Sequence, residues 1–184
     1  MQRIVIIGSS SSGKTTLGAL LSKKLLIEHK ELDFFFWKSN WQESDFEEFR
    51  QKVDAFTRND KWIVDGNYLK VKDLTWKRAT DIIWLDYSLP IILKRFFIRS
   101  LTRSLKREVL WNGNVETFKN NLFSTDSLLI WIFKTFFKNR KTFLALKESD
   151  EFSNIRFHHF KRPSELKNFL NLSTWNDDYE PSRN

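Results

Sequence analysis

Gly8-Ser9-Ser10-Ser11-Ser12-Gly13-Lys14-Thr15 decides how this chain folds. It is a complete Gly-x-x-x-x-Gly-Lys-Thr. The apolar run Ile4-Val5-Ile6-Ile7 precedes it, and a helix-type stretch from Thr16 to Leu26 follows. Strand, glycine loop and helix in that order form a phosphate cradle. Gly8 and Gly13 permit backbone angles that turn successive N–H groups inward around an anion. The new helix adds its unpaired N–H groups and the positive end of its dipole. Gly8, Ser9, Ser10, Ser11, Ser12, Gly13, Lys14, Thr15 and Thr16 are therefore the expected polyphosphate contacts. Lys14 brings a point charge to the β- and γ-phosphates, and the Thr15 hydroxyl is placed to ligate Mg²⁺.

Working outward, strand-type and helix-type stretches alternate. Lys30-Glu31-Leu32-Asp33, Lys61-Trp62-Ile63-Val64-Asp65, Asp81-Ile82-Ile83-Trp84-Leu85-Asp86 and Ile155 to Phe160 join the first run as strand candidates. Helices are expected over 44–57, with Ser44 as cap, over 69–79, from Pro90 to about Leu110, over roughly 115–122 and 126–147, and from Pro163 to about Leu170. Five strands interleaved with helices predict an α/β fold, a parallel sheet covered on both faces. One domain is expected over 1–184, with a helical lid at about 89–148 and a loose polar tail from about 171 to 184.

Composition narrows the function. There is no Cys among 184 residues, so disulfides, thiol catalysis and Cys-based zinc sites are excluded. No apolar run approaches the roughly 20 residues of a membrane span. No signal-peptide pattern opens the chain, and a cytoplasmic setting is expected. Net charge is +8, and its distribution is uneven. Residues 89–148 hold 12 Lys/Arg against 4 Asp/Glu, which equals the whole excess. Such a segment suits closure over a polyphosphate. A basic surface for nucleic acid is the alternative partner.

Two acids end strand candidates near the loop. Asp65 closes an apolar strand and is the expected Mg²⁺-holding acid. Asp33 closes another and is placed to orient an acceptor hydroxyl, to take its proton, or to hold water on the metal. In a parallel sheet both would lie at the carboxyl edge, where ligands bind. Asp86 reads as structural. Trp37 and Tyr68 offer flat faces to an acceptor ring. Arg95, Arg99, Arg103 and Arg107 recur at i, i+4 and share a helix face. Adjacent His158 and His159 would point to opposite faces of a strand, which argues against one shared metal ion.

The glycine loop, Leu32-Asp33 with Trp37, Trp62 to Tyr68, Ile82 to Asp86 and the arginine-rich helix resemble the adenylate-kinase-related P-loop proteins called DNA topology modulation proteins. The resemblance covers approximately residues 1–170. It implies a P-loop NTPase fold of nucleotide-kinase type, three layers α/β/α, with sheet order 2-3-1-4-5. It implies ATP as donor and phosphoryl transfer to a small acceptor, and the family name suggests an effect on DNA topology. By the adenylate kinase pattern Arg95 would lie near adenine, as would Lys161-Arg162-Pro163, and Arg99 would reach phosphate. Arg103 and Arg140 are further catalytic candidates of the lid. One departure bears on the acceptor. Adenylate-kinase-type enzymes carry Asp-Gly-Phe-Pro-Arg after the third strand, where the arginine grips the acceptor phosphate. This chain has Asp65-Gly66-Asn67-Tyr68-Leu69. Gly66, Asn67 and Tyr68 are thus acceptor contacts better suited to a hydroxylated molecule, with nucleoside, nucleotide, sugar and other small alcohols all open.

Overall fold

Alternation within one strand sets the layers. In a computed structural model, strand β1 (Arg3–Gly8) is buried on both faces. Residues 1–106, 109–114 and 127–172 are described. Ile4 and Ile6 of β1 pack with Leu17 and Leu21 of helix α1 (Lys14–Leu25). Val5 and Ile7 face the other way, into a core with Phe49 and Val53 of helix α3 (Phe46–Thr57). This period-two division is what a central strand between two helical layers requires.

The sheet has five parallel strands in the order β2-β3-β1-β4-β5, as the resemblance implied. The others are β2 (His29–Glu31), β3 (Trp62–Asp65), β4 (Asp81–Leu85) and β5 (Arg156–Phe160). Helix α4 (Leu89–Lys106) follows β4. Helix α5 (Leu128–Lys147) sends Ile132 and Phe136 into one core and Phe143 into the other. Helix α6 (Pro163–Leu172) follows β5. Among the described residues no helix is long and apolar enough to cross a membrane.

Several local expectations are corrected. Strand β2 ends at Glu31, and Asp33 lies in the first turn of a short helix α2 (Leu32–Phe36). Asp45, rather than Ser44, caps α3, accepting from the N–H groups of Glu47 and Glu48. The Ser44 hydroxyl instead donates to the Phe35 carbonyl. Residues 69–79 form two separate 3-10 turns, Leu69–Val71 and Trp76–Arg78. Helix α4 begins at Leu89, with its first-turn bond running to the Ser88 carbonyl, so Pro90 falls one place later than expected. It extends to Lys106, and Leu110 stands outside it. The expected helix at 115–122, Arg107 and the tail beyond Leu172 lie outside the described residues.

Candidate active site

The glycine loop adopts the strained backbone its sequence foretells. Gly8 has φ +149° and Gly13 φ +99°, both in the range that disfavours a side chain. A Cβ on Gly8 would also stand 2.7 Å from the Leu85 carbonyl oxygen. The loop is braced from β3. The Asn67 side chain accepts from the Gly8 N–H at 3.2 Å and donates to the Gly8 carbonyl at 2.8 Å. Both ends of that amide are therefore spent on the loop. Asn67 stands as a brace for the phosphate cradle, where an acceptor contact was expected.

Inside the loop several buried polar atoms are unpaired. The hydroxyls of Ser9, Ser11 and Ser12 are buried and have no hydrogen-bond partner. Orphaned donors of this kind are uncommon in native interiors. A bound phosphate would accept from them, so the loop fits a nucleotide polyphosphate. The Lys14 ammonium folds across the loop to the carbonyls of Gly8 (3.0 Å) and Ser9 (3.1 Å). Burial holds its pKa below the ordinary lysine value, partly offset by Asp65 and Asp33. Ser10 is part-exposed and Thr16 exposed at the loop's rim.

At the start of α1 a cluster of hard oxygens forms. Thr15 Oγ1 donates to Glu31 Oε2 at 2.9 Å and lies 3.4 Å from Asp65 Oδ1. Asp65 is 3% exposed. Burial raises the Glu31 pKa, and the neighbouring Asp65 charge raises it further, while hydrogen bonds from Thr15 and Trp111 oppose both. Two carboxylates beside one hydroxyl repel each other until a cation sits between them. The donor set fits Mg²⁺, which takes one or two carboxylates and completes its shell with water and phosphate. Among the described residues no group of three His, Cys, Asp or Glu side chains could hold a metal ion.

Sequence reasoning missed Glu31 as well as His29. Register explains both. Glu31 pairs with Asp65 and His29 with Ile63, so the two β2 side chains share a face. His29 Nε2 lies 2.8 Å from Asp65 Oδ2. The only signal for Glu31 was its place one residue after the polar pair His29-Lys30, which carries no apolar run.

Asp33 lies within electrostatic reach of Lys14, Glu31 and Asp65. The Tyr68 hydroxyl donates to Asp33 Oδ1 at 2.5 Å. Burial pushes the Asp33 pKa up, while Tyr68, Lys14 and Arg99 pull it down. Arg99 thus stands within electrostatic reach of both Lys14 and Asp33. Trp37 is part-buried and packs edge-to-face on Trp41, which meets Trp111 in the same way. Residues 109–114 strap this wall. Asn112 donates to the Trp37 carbonyl at 2.6 Å, and Asn114 donates to the Lys38 carbonyl at 2.9 Å. The Gly66 N–H is tied to the Ile6 carbonyl of β1 at 3.1 Å, at the same edge.

The arginines of α4 divide as helix spacing predicts. Arg95, Arg99 and Arg103 are part-buried, whereas Phe97, Ile98, Leu101 and Leu105 are exposed. Ile92 and Phe96 of the same helix are fully buried in the core, and the basic stripe lies part-buried beside them. Arg95 donates to the Ser12 carbonyl at 2.6 Å and stacks over the Tyr87 ring at 5.0 Å. Arg140 of α5 lies beside Ser9 in a small cavity, its Nε 3.2 Å from Asp86 Oδ2. Asp86 also accepts from His159 at 2.9 Å, while His158 reaches Asp81 at 2.9 Å. The two histidines do face opposite ways. The loop at Lys161-Arg162 spends both its N–H groups on Glu165.

The comparisons agree with this architecture. No model of a protein family matches the chain. A shikimate kinase of Sulfurihydrogenibium sp. (strain YO3AOP1) is 33% identical over 114 residues, spanning 52% of this chain and 66% of that protein, just under two thirds. A shikimate kinase from Bacteroides thetaiotaomicron superposes with TM-score 0.53 at 13% identity, covering 93% of this chain and 99% of that one. A sugar kinase from Janibacter sp. HTCC2649 superposes with TM-score 0.51 at 17% identity over 93% of each chain. None of these carries the DNA topology modulation name, and that likeness rests on the quoted motifs alone. Sheet order, glycine loop and solved neighbours together give this chain a P-loop kinase fold.

Proposed function

We propose that the chain is an ATP-dependent phosphotransferase acting on a hydroxyl of a small molecule. The observation that carries the reading is Asp33. A part-buried carboxylate with a raised pKa, hydrogen-bonded by Tyr68, stands beside the lysine of a phosphate loop. A carboxylate poised in this way suits general-base work on a hydroxyl. The acceptor oxygen attacks the γ-phosphorus as the bond to the β,γ-bridging oxygen breaks. The hydroxyl proton passes to Asp33, and the phosphoester and ADP leave. Lys14, the loop N–H groups and the serine hydroxyls hold the transferring group. Thr15, Glu31 and Asp65 would hold Mg²⁺, which neutralises phosphate charge when bound. Arg99 supports the acceptor side, and Arg95, Arg103 and Arg140 belong to a lid over 89–148 within one domain. Lid closure excludes the water that would compete as acceptor.

The shikimate and sugar kinase relatives support a hydroxylated acceptor, as does the absence of an arginine after Asp65-Gly66. A cytoplasmic setting fits this activity. The nucleic-acid alternative gains no support, because Arg95, Arg99 and Arg140 turn toward the loop and its flanking acids. The test is ATP consumption against nucleosides, nucleoside monophosphates, sugars, cyclic polyols and their acids. One acceptor should stimulate turnover; Lys14→Ala should abolish it and Asp33→Asn should lower it by about 10²–10⁴-fold while circular dichroism stays native. No stimulation by any acceptor, or full activity in either variant, sinks the reading.

A further inference from the structure

One face of α1 and one face of β2 meet as two rungs. Thr15 stands opposite Glu31, at 2.9 Å. Three residues on along the helix, Gly18 stands opposite His29. Two residues back along the strand, His29 lies on the same face as Glu31. The His29 side chain is 10% exposed, and its Nε2 is 2.8 Å from Asp65 Oδ2. Asp65's other oxygen, Oδ1, faces Thr15. An ionised carboxylate only accepts, so the imidazole proton is on Nε2 and points at Asp65.

Gly18 completes the arrangement. It sits inside α1, where glycine is a poor helix former. A Cβ there would stand 2.3 Å from His29 Nε2 and 2.6 Å from Cε1. The imidazole thus occupies the space a side chain at position 18 would need. The helix forgoes a methyl group, and the ring lies flat between α1 and Asp65.

We propose that His29 is a positioning residue for the metal-bearing carboxylate, with Gly18 as the notch that admits it. His29 donates to Oδ2 of Asp65, fixes the rotation of the carboxylate, and aims Oδ1 at the Thr15 hydroxyl where a nucleotide-bound divalent cation would sit. It touches neither phosphate nor acceptor. The inference rests on the proposed function, since it presumes a metal–nucleotide complex at Thr15 and Asp65. Partners that orient metal-ligating groups are worth about 10- to 100-fold in metal affinity or activity.

The experiment measures Mn²⁺ affinity by electron paramagnetic resonance in the presence of ADP, alongside ADP affinity in EDTA. His29→Ala should weaken Mn²⁺ by about 10- to 100-fold and leave metal-free ADP affinity unchanged. His29→Gln, whose amide can still donate, should recover part of the loss. Gly18→Ala should weaken Mn²⁺ in the native background by displacing the ring. In the His29→Ala background the same methyl group has room, so Gly18→Ala should add no further loss. Unchanged Mn²⁺ affinity in His29→Ala, or additive effects of the two substitutions, would overturn the proposal while the native chain still binds. A native chain with no Mn²⁺-dependent tightening of ADP would overturn the functional reading, and this inference with it. Thermal melts of every variant identify any that fail to fold, and His29→Gln then decides alone.

Discussion

The Tyr68 hydroxyl donates to Asp33 Oδ1 across 2.5 Å, tying the turn after β3 to the first turn of α2. Burial and the Asp33 charge push the Tyr68 pKa far upward, so the phenol stays protonated and stays a donor. Its bond opposes the burial that raises Asp33. Tyr68→Phe removes that opposition, and the Asp33 pKa rises further. As a base, Asp33 must be ionised, so activity falls on acidification. The acid limb of kcat/KM against pH should therefore move to higher pH in Tyr68→Phe. Stability at neutral pH should fall by about 1.5–3 kcal/mol, the worth of a hydrogen bond to a charged group. An unmoved acid limb would remove Asp33 from the base role.

Asp33 also links activity to stability. Its folded pKa lies above the unfolded value, chiefly through burial. Its contribution to stability is thus complete below the unfolded pKa and is lost as pH rises through the folded pKa. Asp33→Asn has no charge to bury. It should lose about 10²–10⁴ in rate and melt higher than the native chain at pH 8. The two should converge near pH 4. In a chain of this size each 1 kcal/mol shifts Tm by about 2–4 °C. Equal Tm values for Asp33→Asn and the native chain at both pH values would mean the carboxylate is not strained by its site.

How much of this was legible in the sequence depends on how local the determinants are. The loop from Gly8 to Thr15 is a contiguous physical device, and its backbone angles follow from its own glycines. Strands β3 and β4 announce themselves as apolar runs because both faces are covered. Strand β2 does not. It is a three-residue edge strand, His29–Glu31, part-buried throughout, and only its register against Ile63, Val64 and Asp65 makes His29 and Glu31 part of the site. Asp33 was expected at a strand end, and the first turn of α2 carries it instead. Asn67 could not be told from an acceptor contact until its amide was found on Gly8. Side-chain partners distant in sequence leave no periodic trace.

At the opposite end of the sheet, Asp81 is fully buried and accepts from Thr80 at 2.7 Å, His158 at 2.9 Å and Arg156 at 3.0 Å. Burial works against its charge, but these three bonds hold its pKa below the usual carboxylate value. Its stabilisation is present above the unfolded pKa of about 3.9 and fades as pH falls toward the depressed folded value. Asp81→Ala takes a buried carboxylate away from His158 and Arg156 and should cost about 3 kcal/mol, the lower end for a broken buried pair because the Arg156 side chain is 32% exposed. Urea midpoints between pH 7 and pH 3 should fall less steeply in Asp81→Asn than in the native chain. Phosphoryl transfer measured well below Tm should be unaffected, since the cluster is far from the loop.

Arg140 separates stability from catalysis most cleanly. Its Nε rests 3.2 Å from Asp86, yet its side chain is 44% exposed, and such pairs contribute only about 0–1 kcal/mol. Removing it should barely move Tm. It lies beside Ser9, however, whose buried hydroxyl lacks a partner in the phosphate loop. A guanidinium that swings from Asp86 to the transferring phosphate would stabilise charge that develops only in the transition state. Arg140→Ala should then lower kcat by about 10³-fold or more, the lower end for an arginine finger, with little change in KM for ATP. Arg140→Lys should rescue poorly, because an ammonium cannot make the planar two-pronged contact. Asp86→Asn, which loosens the resting position without removing the guanidinium, should leave kcat near or above native. If Arg140→Ala instead raises KM with kcat intact, the residue holds ground-state nucleotide and takes no part in the transfer step.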